Sequence, residues 1–164
     1  LKFKRQLTPW EAACLGDAEQ LNEFIKNTPS LINTPSPDGF SLLGYACFFS
    51  QENIAALLIS KGADINSASK NSMKVAPLHS AAASSNYALC SLLLENGADI
   101  NAVQQGGYTA LHAAAQNGKT ELVKLFLVNG ADKNLLTEKG ESAVSFAIAG
   151  SHMETARFIE DFSK

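Results

Sequence analysis

GYTALHAAAQNGKTELVKLFLVNGADKN, residues 107–134, decides how the chain is read, because its parts recur on both sides of it. Thr109 can cap a helix with its hydroxyl, and the small residues Ala113, Ala114 and Ala115 carry that helix to Gly118, a residue suited to a left-handed helix end. Beyond Gly118 a second apolar pattern begins. Leu122, Val123, Phe126 and Leu127 fall on one helical face, and the pattern stops at Gly130. The first predicted helix is slim enough for another backbone to approach closely, while the second supplies most of the area that can be buried. A pair this short cannot cover its own apolar face, so it needs copies of itself on both sides.

The copies are present. Gly-Ala-Asp-x-Asn occurs at 62–66, 97–101 and 130–134, with steps of 35 and 33 residues, and Asn33 lies 33 residues before Asn66. Ala76-Pro77-Leu78-His79 and Thr109-Ala110-Leu111-His112 repeat a helix start in the same register. On these residues the chain resembles the ankyrin-repeat family. The resemblance implies an all-α repeat solenoid of about five stacked ankyrin helix-turn-helix units joined by β-hairpin-like tips. The approximate units are 1–35, 36–68, 69–103, 104–136 and 137–164, together a single ankyrin-repeat domain over 1–164.

A chain of 164 residues that is 46% hydrophobic and 18% charged has a globular composition. Its net charge of −3 argues against nucleic-acid binding, which needs a concentrated positive stripe. No apolar run approaches the ~20 residues that span a bilayer, so no membrane insertion is expected. The chain starts at Leu1 without Met, which is compatible with a removed leader, and a cytoplasmic compartment is favoured. A monomer is expected. Cys14, Cys47 and Cys90 are scattered one per unit without paired spacing and are read as small buried residues.

The departures from the template are informative. Residues 1–5 suit an exposed end, Thr8-Pro9 starts the first helix, and that helix reads as one residue short before Gly16. The second unit has Ser41-Leu42-Leu43-Gly44 at the helix start, keeping a capping residue and losing the histidine, and it carries Phe48-Phe49 where the fourth has Gln116-Asn117. One of this Phe pair is expected to point into the core. The third unit has two extra residues within 67–75, which predicts a longer and looser tip, and Ala76 replaces the capping threonine at a cost of about 1 kcal/mol. The fifth unit keeps a degraded start at Ser142-Ala143-Val144-Ser145, and Met153, Phe158, Ile159 and Phe162 are assigned to its last helix.

Chemistry is not indicated by any motif. His79 and His112 lie 33 residues apart in adjacent units, but no carboxylate or cysteine at matching positions completes a metal site. The resemblance implies instead that these histidines bond their own helix starts, and that Asp64, Asp99 and Asp132 are turn residues satisfying backbone donors. Gly106-Gly107 lacks the longer glycine pattern of a phosphate loop. No catalytic, cofactor or metal residue is assigned, and no enzyme is expected.

The resemblance implies a non-catalytic scaffold that binds a protein partner through the hairpin tips and the concave face of the first helices. Blocking a specific enzyme is the alternative, with a small-molecule-binding or enzymatic protein behind it. The variable positions there nominate Phe40, Phe48, Phe49, Met73, Val75 and Tyr108 as anchors, with Lys70, Lys74, Gln104, Gln105 and Gln116 as a polar rim.

Overall fold

The computed structural model describes residues 7–163. The reading of residues 1–5 as an exposed end lies outside them. Ten α-helices follow one another: α1 (Pro9–Leu15), α2 (Ala18–Asn27), α3 (Leu42–Phe48), α4 (Glu52–Ser60), α5 (Pro77–Ala83), α6 (Tyr87–Glu95), α7 (Ala110–Gln116), α8 (Thr120–Val128), α9 (Ala143–Ala149) and α10 (Met153–Asp161). Odd-numbered helices pack in sequence, α1 on α3, α3 on α5, α5 on α7 and α7 on α9, and each carries its even-numbered partner behind it. The architecture is an all-α repeat solenoid, as the resemblance implies.

Each inner helix is started by a local device. Thr8 and Glu11 cap reciprocally, the Thr8 hydroxyl accepting from the Glu11 N–H at 3.2 Å and the Glu11 carboxylate accepting from the Thr8 N–H at 2.8 Å. Ser41 Oγ accepts from the Gly44 N–H at 3.0 Å, and Ser142 and Ser145 exchange equivalent bonds. At Ala76, which has no acceptor, His79 Nδ1 takes the orphan backbone N–H at 3.1 Å. All five inner helices have seven residues, so the first is not short. The missing residue falls in the turn that follows, where Gly16 (φ 77°) leads straight to the Asp17 cap. Gly118 is left-handed as predicted, but Ser50, Ser85 and Ser151 hold the same conformation in three other units at φ 55–64°.

The slim inner helices bury alanines (Ala46, Ala81, Ala82, Ala114, Ala115, Ala147) and the outer ones bury Leu21, Ile54, Leu58, Leu89, Leu93, Leu122, Phe126, Leu127 and Ile159. This division is what close stacking of small faces requires, with the large side chains filling the layer between inner and outer helices. Met153, Phe158 and Ile159 lie on the last helix as assigned, Met153 being 55% exposed, whereas Phe162 lies just past the end of α10. Cys47 and Cys90 are buried as expected; Cys14 is only half-buried, and all three are free thiols. Burial pushes the Cys90 thiol up to about 12 and raises Cys47 further, so both stay protonated and inert.

A ladder of asparagines ties unit to unit. Asn33, Asn66 and Asn101 each accept, at 2.8 Å, the backbone N–H of the aspartate one unit on: Asp64, Asp99 and Asp132. Each also donates its amide to the glycine carbonyl of the same run, Gly62, Gly97 or Gly130. The three aspartates in turn accept the N–H two residues ahead, at Asn66, Asn101 and Asn134, which is the turn role expected of them. Replacing Asn66 by Ala removes one acceptor and one donor between the second and third units. The expected cost is about 1–2 kcal/mol, read as a lower urea midpoint; an unchanged midpoint would show the ladder to be energetically idle. In the fourth unit Lys133 takes the place of Ile65 and Ile100, and its Nζ donates to the carbonyls of Ile159, Glu160 and Phe162 at 2.8–3.0 Å, closing the end of α10.

The tips interlock by backbone bonds. Lys70 N–H donates to Gly39 O, Gln105 N–H to Met73 O, and Glu138 N–H to Gly106 O, all at 2.8–2.9 Å. Gly39, at φ 88°, is required here, because a Cβ would stand 2.9 Å from the Asn71 backbone nitrogen. The third tip is longer, as the two extra residues demand, but it is not looser. Asn71 Oδ1 accepts from Ser69 Oγ and the Met73 N–H, its amide donates to Asp38 O at 3.0 Å, and Ser69 Oγ accepts the Val75 N–H. Ser69 keeps the role that Ser36 and Thr137 have toward the Phe40 and Glu141 N–H groups, and Asn71 supplies the further acceptor that the lengthened tip uses.

Candidate functional site

A groove of about 610 Å³ opens between the tips and the inner helices of the second, third and fourth units. The sequence explains its shape. Four residues after the helix cap the units carry Tyr45, Ser80, Ala113 and Phe146, and seven after it Phe48, Ala83, Gln116 and Ala149. The second unit therefore raises an aromatic wall, the third leaves a low floor, and Tyr108 with Gln116 bounds the far side. The wall is continuous: ring centroids lie 5.8 Å apart for Phe40 and Tyr45, 6.5 Å for Tyr45 and Phe49, and 5.2 Å for Phe48 and Phe49. Tyr108 is steadied from behind by Phe146, at 5.6 Å.

Nine of the eleven residues nominated from sequence line this groove: Phe40, Phe48, Phe49, Met73, Val75, Gln104, Gln105, Tyr108 and Gln116. Lys70 and Lys74 do not, although both are exposed on the neighbouring tip. The expectation that one of Phe48 and Phe49 enters the core is wrong. Phe48 is 60% and Phe49 47% exposed, because the adjacent Ala46 and Cys47 already fill the space behind α3. Met73 is 49% exposed. Sequence reasoning missed Asp38 and Tyr45. Tyr45 was detectable as a large side chain at a position where the next two units have Ser80 and Ala113.

Polar order in the groove and directly beneath it comes from three places. The Tyr45 hydroxyl donates to Asp38 Oδ2 at 3.3 Å and lies 3.3 Å from Ser36 Oγ; burial, with the Asp38 carboxylate nearby, pushes its pKa up, so it stays a proton donor. His79, at the floor, accepts the Ala76 N–H at Nδ1, which places its proton on Nε2, 2.9 Å from Ala102 O. His112 Nδ1 likewise faces the Thr109 N–H at 3.1 Å and the Thr109 hydroxyl at 2.8 Å, while its buried Nε2 has no hydrogen-bond partner. Both histidines thus bond their own helix starts. Among the described residues no group of three or more His, Cys, Asp or Glu side chains could hold a metal ion.

Burial lowers the pKa of both His79 and His112, so the folded chain binds their protons less readily than the unfolded chain does. Stability should therefore be full above the ordinary histidine value, roughly 6.5, and fall as pH drops below it toward the folded values. Urea midpoints between pH 7.5 and 5.5 test this. The double variant His79→Gln/His112→Gln should be less stable at pH 7.5 and show a smaller slope; a slope equal to the wild type's would assign the effect to other groups.

The repeated pattern has counterparts elsewhere. A family model describing ankyrin repeats in many copies matches residues 78–127, and one describing the ankyrin repeat matches residues 38–70. The chain belongs to the ankyrin-repeat family. It is also similar to an ankyrin repeat protein of fowlpox virus, with 37% identity over 95 residues. That match covers 58% of this chain and 21% of the viral protein, so the chain spans about a fifth of the length of that relative. Ankyrin repeats generally serve as protein–protein interaction modules, and the ankyrin stack here presents its apolar groove on the tip and inner-helix side. No helix among the described residues is long and apolar enough to cross a membrane.

Proposed function

We propose that this chain acts as one ankyrin-repeat binding domain that receives a segment of a protein partner in the groove walled by Phe40, Tyr45, Phe48 and Phe49 and bounded by Met73 and Tyr108. The observation that carries the reading is the exposure of Phe48, Phe49 and Met73 side by side around one concavity. Exposed large side chains scattered singly are ordinary, but gathered in a concave, water-accessible patch with a polar border they have the anatomy of an interface core and rim. Gln104, Gln105 and Gln116 supply that border. Val75 and Phe40, both half-buried, fix the wall and contribute the edges of their side chains.

Panning a displayed peptide library against the wild type and against Phe48→Ser/Phe49→Ser tests the proposal. Peptides enriched by the wild type and lost on the variant support it. Equal recovery by both proteins would place binding elsewhere, and no enrichment by the wild type would remove the groove as a peptide site.

A further inference from the structure

We infer that the segment received by the groove carries a basic side chain, arginine above all, beside its apolar anchor, and that Asp38 selects it. This rests on the groove being the partner site, and it adds the charge of the partner. Among the described residues that line the groove, Asp38 is the one carboxylate and none is a lysine or an arginine. Its side-chain partner is the uncharged Tyr45 hydroxyl, 3.3 Å from Oδ2, so the negative charge is oriented without being neutralised. The backbone beneath is fixed as well, by the Asn71 amide donating to Asp38 O at 3.0 Å. The carboxylate is thus a positioned group on a rigid tip.

The surroundings favour a cation with a long apolar stem. The Tyr45 ring that bonds Asp38 adjoins Phe40 at 5.8 Å and Phe49 at 6.5 Å, so a side chain reaching Asp38 passes across aromatic rings. A guanidinium satisfies both features at once, pairing with the carboxylate and stacking on a ring, while its methylenes cover apolar surface. A lysine can do the first and part of the second. An acidic segment would meet a like charge in a groove with no compensating cation among its described lining residues, and would be rejected.

The test uses the full chain and peptides taken from the displayed library. Sequences enriched by the wild type should carry Arg or Lys within a few residues of an aromatic or aliphatic anchor. Fluorescence anisotropy then compares one such peptide with its Arg→citrulline version on the wild type and on Asp38→Asn, a substitution that keeps the size of the side chain. Asp38→Asn should weaken the arginine peptide about five- to tenfold and leave the citrulline peptide unchanged, and added salt should weaken the first more than the second. Equal loss for both peptides, no loss for either, or enrichment of acidic or wholly neutral peptides would overturn the charge inference and leave the groove reading standing. No enrichment over Phe48→Ser/Phe49→Ser would overturn both. A concentration-dependent dimer that Phe48→Ser dissolves would overturn the peptide occupant in favour of a second copy.

Discussion

Phe48→Ser/Phe49→Ser should weaken peptide binding about 1,000-fold while leaving the chain folded, because two aromatic anchors of hot-spot size contribute roughly 2 kcal/mol each. The cost to the fold is small by comparison. Both rings are substantially exposed, and the aromatic contacts they give up are the ring pair at 5.2 Å and the contact of Phe49 with Tyr45 at 6.5 Å. Such pairs contribute about 0.5–1.5 kcal/mol. Circular dichroism and the urea midpoint should therefore move little when affinity collapses. A midpoint falling by several kcal/mol would mean that the two rings are structural, and the binding loss would then say nothing about a site.

Phe126→Ala is expected to have the opposite signature. Phe126 is fully buried on α8, in the layer between the inner and outer helices, together with Leu122, Val123 and Leu127. Truncation should cost about 3–5 kcal/mol, a large share of the roughly 5–15 kcal/mol that a domain has available. In a repeat stack each unit leans on its neighbours, so the loss should spread along the stack before it reaches every unit. Amide exchange should accelerate first in α7 to α10 and last in α1 to α4. Uniform acceleration would indicate that the stack unfolds as a single cooperative body. Phe126→Leu, which leaves a smaller void, should recover most of the loss.

The contrast between these two phenylalanine positions marks where the sequence is legible. Phe126 shares a helical period with Leu122 and Val123, and that period alone assigns it to the core. Phe48 and Phe49 are adjacent, at a helix end where the period stops, so no pattern says which way either ring turns. One of the pair is expected in the core, but Ala46 and Cys47 already occupy the space behind α3. Local chemistry misled at the third tip as well. Two extra residues suggest slack, yet Ser69 and Asn71 happen to supply the acceptors that the lengthened backbone needs. Three left-handed turn positions carry serine, a residue that does not announce a positive φ as glycine does.

The groove itself was legible as a list of residues, with less to say of its shape. Repeats in register place Phe40, Val75 and Tyr108 at equivalent positions, so aligning the units by eye gathers them. What alignment does not give is the direction of a long side chain on an exposed tip, which is why Lys70 and Lys74 fit the polar rim by sequence and stand outside the groove. Asp38 and Tyr45 do not stand out in the sequence for a related reason. Each is ordinary by itself, and their meaning comes from the hydrogen bond between them and from the small residues of the next unit.

The most direct measurement of the central claim is a titration of ¹⁵N-labelled chain with a peptide enriched by the wild type, followed amide by amide. The groove account predicts shifts confined to the second to fourth tips and the inner-helix face, around Phe40, Tyr45, Phe48, Phe49, Met73 and Tyr108. Shifts centred on the outer helices α4, α6 and α8, with those amides unmoved, would contradict it.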